Sequence, residues 1–460
     1  MIDPLTLESS LKAFHADDPE SCADICRRIL ATQSDHPLGG HLLAWSMLER
    51  GLDYSQLLTQ LATSPETAKA KGIPAKATLG WLFWHAGRVH EAILALTKNI
   101  AREPQRQDLQ TLLGICLLAD EQPEPAEKIL SSVVKRSPRN PVPRFHLAHA
   151  LLHLEKWEQG FAAFEKSRFD IPMRQPGQYD HLPEKLWVDQ NLQGKIIVIE
   201  GEQGFGDQIQ FIRFAAYLKS ILGASEVHFS CHPVLSDVMQ AVPCLDSAAD
   251  KIYHDFDYHV PVMSLPHRCQ IRIDSDLYAS PYLHPAREWI DKWHAQLPEK
   301  SERPRIGICW RSAPVVTRDH RVVQGVNLVK TRKSLSLVEL EYLIQKLGPD
   351  CDIVSLQFDP DDTESALLTK NNVTIPKITN FTDTAALVGL CDHVITIDTA
   401  TAHLAGAIGA DTRILLNRGA DWRWAHSRNG ASIWYPQIKT IHQKVANRWE
   451  ETIDRAVDGL

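Results

Sequence analysis

The sequence predicts an α + α/β protein, with a helical repeat array in its first third and two α/β lobes in tandem after it. Three observations lead there. Pro104, Pro138 and Pro172 stand 34 residues apart, and small residues keep the same phase at Gly80, Gly114 and Ala148, then at Ala92, Ala126 and Gly160. A period of that length marks a stacked two-helix unit whose small residues let the paired helices approach. Further on, four consecutive apolar residues, Ile196 to Ile199, run into a loop with Gly201, Gly204 and Gly206 and then into a helical pattern from Gln208 to Tyr217. Strand, glycine turn and helix in that order is where open α/β sheets place ligands. The strand pattern then restarts at Arg305-Ile-Gly-Ile-Cys-Trp310, after Pro304.

The repeats fall at roughly 71–104, 105–138 and 139–172, the last carrying Leu147 to Leu154, Trp157 and Phe161. Upstream, the segments 22–30 and 42–48 look like a further unit with irregular spacing, and 54–70 like a divergent unit or a cap. The array is therefore assigned residues 1–172. Pro172-Met-Arg-Gln-Pro-Gly177 breaks the helical pattern and opens a linker over 173–194. In the first lobe, 195–300, the stretch 226–231 reads as a strand, 234–242 as a helix, and 257–266 as a further strand running into a loop. That alternation predicts a parallel sheet. The segment 287–297, with Trp289, Ile290 and Trp293, is an amphipathic helix suited to linking the lobes. The second lobe, 301–460, continues with a basic loop from Arg311 to Lys333, a helix over 337–347, a strand over 352–356, and a short helix from Phe381 with Thr382 or Asp383 as its N-cap. Strand 393–397 leads directly into Asp398-Thr-Ala-Thr-Ala-His403, and strand 413–416 into Asp421-Trp-Arg-Trp424 and Trp434-Tyr-Pro436.

Bulk properties narrow the function classes. A chain of 460 residues has room for two or three domains, and 44% apolar with 23% charged residues is ordinary for a globular protein. A formal net charge of −8 argues against a general nucleic-acid binder. The first residues lack the basic and apolar regions of a signal peptide, and no run of eighteen apolar residues offers a transmembrane helix. Nine cysteines without CxxC pairs read as buried thiols, which fits a reducing cytoplasm.

Two stretches carry chemistry. Asp207 stands in the first turn after the glycine loop, either as a reacting carboxylate or as a helix-terminal charge there only for the dipole. Glu202, in the same loop, is a second candidate, and Gly204 and Gly206 keep the approach open. Around residue 398, a strand ending in Asp398-Thr399 before the small Ala400 and Ala402 leaves free backbone N–H groups at a helix start, a cradle for a diphosphate. Thr399 and Thr401 offer hydroxyls to phosphate oxygens or simply cap the helix. His403 is as good a structural histidine as a ligand. Gln357 and Thr384 are candidates for the ribose or base. The cluster Asp359-Pro-Asp-Asp362 reads as a turn rather than a metal site, and His and Cys residues show no zinc spacing. The glycine loop matches neither a Walker A motif nor the dinucleotide fingerprint.

With Gly201-Glu-Gln-Gly-Phe-Gly-Asp-Gln-Ile-Gln-Phe211, Val354-Ser-Leu-Gln357, Phe381-Thr-Asp-Thr-Ala-Ala-Leu387, Asp398 to Gly406 and the two tryptophan segments, the chain resembles bacterial tetratricopeptide-repeat (TPR) proteins carrying a heptosyltransferase-like, family 9-like glycosyltransferase domain. The resemblance implies a GT-B fold of two Rossmann-like lobes and inverting, metal-independent sugar transfer from a nucleotide-sugar donor, with no further cofactor. It puts the catalytic base on Asp207 and the diphosphate turn on Asp398 to His403. A donor-phosphate lysine falls on Lys333, with Arg311 and Arg332 as competitors. The proline expected three residues after that lysine is Ser336 here. The expected acceptor is a protein held by the array, such as flagellin. A saccharide or lipid-linked acceptor is the next reading, and an inactive scaffold the third.

Overall fold

The computed structural model describes residues 4–170, 177–252, 255–271, 281–312 and 332–460. The start of the expected linker and most of the basic loop, with Arg318, Arg321 and Lys330, lie outside the described residues. The chain forms two compact units, one ending at Leu154 and the other beginning at Glu155.

The first unit is an array of antiparallel helix pairs of TPR type. Its regular pairs are Leu79–His85 with Val89–Arg102 and Gln107–Ala119 with Pro123–Arg136, followed by Pro141–His153. The small residues of the period work as expected. A Cβ built on Gly114 would lie 2.6 Å from Leu130 Cγ, and one on Gly80 would run into Leu96. The turns keep the same phase, since Gly87, Glu121 and Glu155 all adopt positive φ, at 79°, 60° and 55°. The irregular upstream region contains the same device. Gly40, on the helix Pro37–Glu49, faces Leu61 on the helix Ser55–Thr63, and a Cβ built on it would lie 2.7 Å from Leu61 Cδ2. The glycine-to-leucine interval is 16 residues in the regular units (80 to 96, 114 to 130) and 21 here (40 to 61), which is why the period fails there.

The second unit holds two sheets built on parallel strands. In the first, β1 (Ile196–Glu200), β2 (Glu226–Ser230), β3 (Ser247–Ala249) and β4 (Tyr258–Pro261) run in the order β3-β2-β1-β4. The end of the linker joins this lobe. Trp187 N–H donates to His259 O at 2.8 Å, and Tyr179 N–H reaches Glu200 Oε2 at 3.1 Å. Glu200 Oε1 also lies 2.5 Å from His259 Nδ1, so a buried carboxylate and imidazole fix the last residue of β1, just before the glycine loop. The strand expected at the start of 257–266 is β4, but the segment after it is helical rather than a loop. The strand ends at Pro261 and passes into a 3-10 turn and the short helix Leu265–Arg268.

The second sheet contains β5 (Arg305–Cys309), β6 (Asp352–Ser355), β7 (His393–Ile397), β8 (Thr412–Leu416), β9 (Ser427–Arg428), β10 (Ala431–Ser432) and β11 (Ile438–His442) in the order β6-β5-β7-β8-β11-β10-β9. The first five strands of that order are parallel, and β10 and β9 close the edge antiparallel. The helix Phe381–Gly389 starts at Phe381, but neither Thr382 nor Asp383 is its N-cap. Asn380 is its N-cap and accepts from Asp383 N–H at 2.9 Å, while Asp383 turns back to Thr379. The helix Arg287–Gln296 packs on this second lobe, with Trp293 Nε1 and Lys292 Nζ donating to Asp383 Oδ1 at 2.8 and 2.7 Å. Those donors outweigh the burial of Asp383 and hold its carboxyl down at about 2.

The helix Trp157–Arg168 has the repeat phase of the array but lies in the second unit. Trp157 meets Trp434 and Trp422 with ring centroids 5.9 and 6.4 Å apart, and Phe161 meets Trp422 at 5.9 Å. At the other end Arg168, almost fully buried, pairs with Glu202 and donates to Ser264 Oγ at 2.5 Å, while Glu165 pairs with Arg268 at 2.8 Å. Removing one member of a buried pair leaves its partner's charge unmatched. Arg168→Met in the full chain is therefore expected to destabilise the second unit by about 3 kcal/mol. Denaturant unfolding checks this against Arg27→Met, an exposed pair on the array whose loss should change stability by under about 0.5 kcal/mol.

Candidate active site

Strands β1 and β7 carry the glycine loop and the Asp398 turn to the C-terminal ends of their sheets, where the two meet. The helix Phe205–Phe211 starts at Gly204, and Asp207, three residues in, accepts the Gly204 N–H on Oδ2 at 3.0 Å. That bond is an ordinary helix cap. The other oxygen is used differently: Asp207 Oδ1 accepts from Arg423 Nη2 at 2.6 Å, across the lobes. Arg423 is itself held by Asp421 Oδ1, which accepts from Nη1 at 2.8 Å and from the Arg423 N–H at 3.0 Å. Its guanidinium carbon lies 4.4 Å from the Trp422 ring centroid and 5.7 Å from that of Phe211. Burial works against this charge, but Asp207, Asp421 and Asp398 outweigh it and hold the guanidinium above its ordinary range.

The three glycines of the loop play different parts. A Cβ on Gly201 would strike the Gln208 carboxamide and come within 3.1 Å of Cys231 Cα, and one on Gly206 would lie 2.6 Å from His403 Cδ2. Both places are already filled by protein. A Cβ on Gly204 would meet only Asp207 Oδ2, the acceptor of its own N–H, at 3.3 Å. Positive φ falls on Gln203, at 61°, and not on the glycines.

On the facing lobe, the helix Ala400–Ile408 begins at Thr399, whose backbone is extended. Its hydroxyl turns back to Ile397 O and Thr396 Oγ1, each at 3.4 Å, and no side chain caps the first turn. Ala400 and Ala402 leave the helix start uncrowded, and Thr401 is buried beside them. Asp398 accepts from Lys333 Nζ at 2.9 Å on one oxygen and from Trp424 Nε1 at 2.9 Å on the other. Burial opposes its charge, and the lysine more than offsets this, so the carboxyl sits below its usual range. His403 lies one turn in, with Nδ1 3.0 Å from the Tyr435 hydroxyl and its ring centroid 4.8 Å from that of Trp424. Burial pushes it down to about 3, so at neutral pH the ring carries no charge.

The remaining candidates are engaged elsewhere. Glu202 accepts from Met263 N–H at 3.1 Å and pairs with Arg168, which makes it an anchor for the helix Trp157–Arg168. Arg311 grips both oxygens of Glu364, at 2.9 and 3.0 Å. Its backbone N–H donates to Gln357 Oε1 at 3.0 Å, and the Gln357 amide reaches Asp359 at 3.3 Å. Thr384 is buried with its hydroxyl 3.4 Å from Asn380 O. In the acidic cluster, Asp361 caps the helix Asp362–Lys370. Among the described residues no group of three His, Cys, Asp or Glu side chains could hold a metal ion.

The structure thus brings together Gly206, Asp207, Lys333, Asp398, Thr399, Ala400, Thr401 and His403, and adds Arg423, Trp424 and Tyr435. The aromatic segments holding the last three stand out in the sequence, but their partners do not, because Arg423 and Asp207 are 216 residues apart.

The buried imidazole gives a signed pH dependence. Its ordinary value is 6.5 and its folded value about 3, so the unfolded chain takes up the proton first. The stability due to the neutral ring is complete above about pH 6.5 and is lost as pH falls toward about 3. His403→Gln should flatten the decline of the second unit's melting temperature between neutrality and pH 4. An unchanged slope would assign that acid sensitivity to other groups.

A family model described as anaphase-promoting complex, cyclosome, subunit 3 matches residues 85–167. The chain is 22% identical to Protein FlbA of Caulobacter vibrioides over 481 aligned positions, which cover 97% of this chain and 76% of that protein. Among solved structures it is similar to a glycosyl transferase family 9 protein from Veillonella parvula (13% identity, TM-score 0.40, 56% of this chain and 88% of the other). It is also similar to a thermophilic TPR protein of Thermus thermophilus (16% identity, TM-score 0.31, 36% of this chain and 91% of the other).

Proposed function

We propose that the second unit is a glycosyltransferase, with Asp207 as the base and the Asp398–His403 turn as the seat of the donor diphosphate. The observation that carries this reading is the pairing of a loop carboxylate on one lobe with an uncapped helix start on the other. Transfer needs both. The acceptor hydroxyl attacks the anomeric carbon and gives its proton to Asp207, while the bond from that carbon to the diphosphate breaks. The charge that develops on the leaving diphosphate meets the free N–H groups at Ala400 and Thr401 and the ammonium of Lys333. A single displacement of this kind inverts the anomeric centre. The array fits the recruitment of a protein acceptor such as flagellin, because stacked helix pairs offer an extended surface to a chain. A saccharide or lipid-linked acceptor would leave that surface without a role.

Asp207→Ala is expected to lower transfer about a thousandfold, within the usual range for loss of a general base. Lys333→Ala should act mainly on donor affinity, raising the KM for the nucleotide sugar about tenfold. Steady-state kinetics across a panel of nucleotide sugars measures both, and full activity in Asp207→Ala would end its assignment as base. The pairing of Lys333 with Asp398 also suits a scaffold that handles no donor. Absence of donor binding across the whole panel, by calorimetry, would favour that reading.

Removal of residues 1–154, which leaves the helix Trp157–Arg168 in place, should abolish transfer to a folded protein acceptor while donor hydrolysis persists. Retained protein glycosylation would dismiss the array as the recruiting element.

A further inference from the structure

We propose that Arg423 is a positioning residue for Asp207, and that the segment Asp421–Trp424 sets both halves of the site at once. The inference rests on the reading of Asp207 as the base. A helix cap occupies only Oδ2 of that carboxylate, through the Gly204 N–H at 3.0 Å. Nothing in the helix start calls for a second donor, yet Oδ1 receives Arg423 Nη2 at 2.6 Å from the opposite lobe. One donor on each oxygen fixes the carboxylate plane and leaves further lone pairs for an incoming hydroxyl.

The guanidinium is fixed in turn. Asp421 Oδ1 takes both its Nη1 and the backbone N–H of the same residue. Trp422 and Phe211 lie against its carbon at 4.4 and 5.7 Å from their ring centroids, and the side chain is only 13% exposed. An arginine held at both ends of its fork transmits direction as well as charge, which a lysine ammonium does not. The adjacent residue does the matching task on the other lobe. Trp424 donates its indole N–H to Asp398 Oδ1 at 2.9 Å and packs on His403. Two consecutive side chains of one loop therefore orient the carboxylate of the proposed base and the carboxylate of the proposed phosphate turn.

The test uses the full chain, with Arg423→Lys, Arg423→Gln, Asp207→Asn and the double variant Asp207→Asn/Arg423→Gln. Melting temperatures identify folded variants, and kcat and donor KM are measured for transfer or donor hydrolysis. Arg423→Lys is the variant least apt to disturb folding and keeps the test usable if Arg423→Gln unfolds. A roughly hundredfold fall in kcat with donor KM within about threefold is expected for either single Arg423 variant. In the double variant kcat should be no lower than in Asp207→Asn alone, since both changes act through one carboxylate. Undiminished kcat in a folded Arg423 variant, beside a large loss in Asp207→Asn, would reduce Arg423 to a structural strut. A double variant slower by the full product of the single factors would place Arg423 on another group, and either result overturns the proposal while leaving Asp207 as base. Wild-type rates in Asp207→Asn, or a wild type inert toward every donor, would instead overturn the underlying reading and the proposal with it.

Discussion

Arg423 and Asp207 belong to different lobes and meet at 2.6 Å, with one guanidinium between the carboxylates of Asp207 and Asp421. Much else follows from accommodating that charge. It needs an aromatic wall, supplied by Trp422 and Phe211, and a route for the chain from β8 back across the top of the sheet. It also needs the lobes close, which in turn requires a glycine at 206, where any side chain would strike His403. Among the described residues, the carboxylates of Asp207 and Asp421 pair with Arg423, and that of Asp398 with Lys333. A diphosphate seated at the Asp398 turn, as proposed, would compete with Asp398 for the Lys333 ammonium.

The parts readable from sequence were those encoded locally. Apolar runs at β1, β5 and β7 marked central parallel strands because such strands are buried on both faces. Gly80 and Gly114 keep their period because each faces a leucine on the paired helix, Leu96 and Leu130. What escaped was encoded at a distance or against local preference. β11 was missed because Ile438-Lys-Thr-Ile-His442 alternates weakly, and its placement depends on pairing with β8. β3 is three residues long and has no pattern of its own. The N-cap of the helix Phe381–Gly389 was misread because Thr382, Asp383 and Asn380 are all good caps, and only the geometry selects Asn380.

The site divides along the same line. Glycines and small residues mark the stretches around Asp207 and Asp398 as places of close approach, and the structure brings the two together, with Gly206 against His403. Their partners carry no such mark, since Arg423 has no local reason to face Asp207. Glu202 shows the converse error: a carboxylate beside a glycine loop suggests chemistry, yet its position is explained by Arg168 and the Met263 N–H. Arg311 is similar, a cation at the mouth of a basic loop whose fork is filled by Glu364. Burial and partnership, more than residue type, separate the reacting candidates from the braces.

The helix Trp157–Arg168 carries one further consequence. Its sequence is that of a repeat, but its hydrophobic and ionic partners belong to the downstream unit, so repeat phase and fold boundary are offset by half a unit. Exchange of arrays between relatives by recombination would therefore be tolerated at the Leu154–Glu155 turn and penalised at the end of the repeat. By its packing this last helix belongs with the lobes it braces, whatever the number of units upstream.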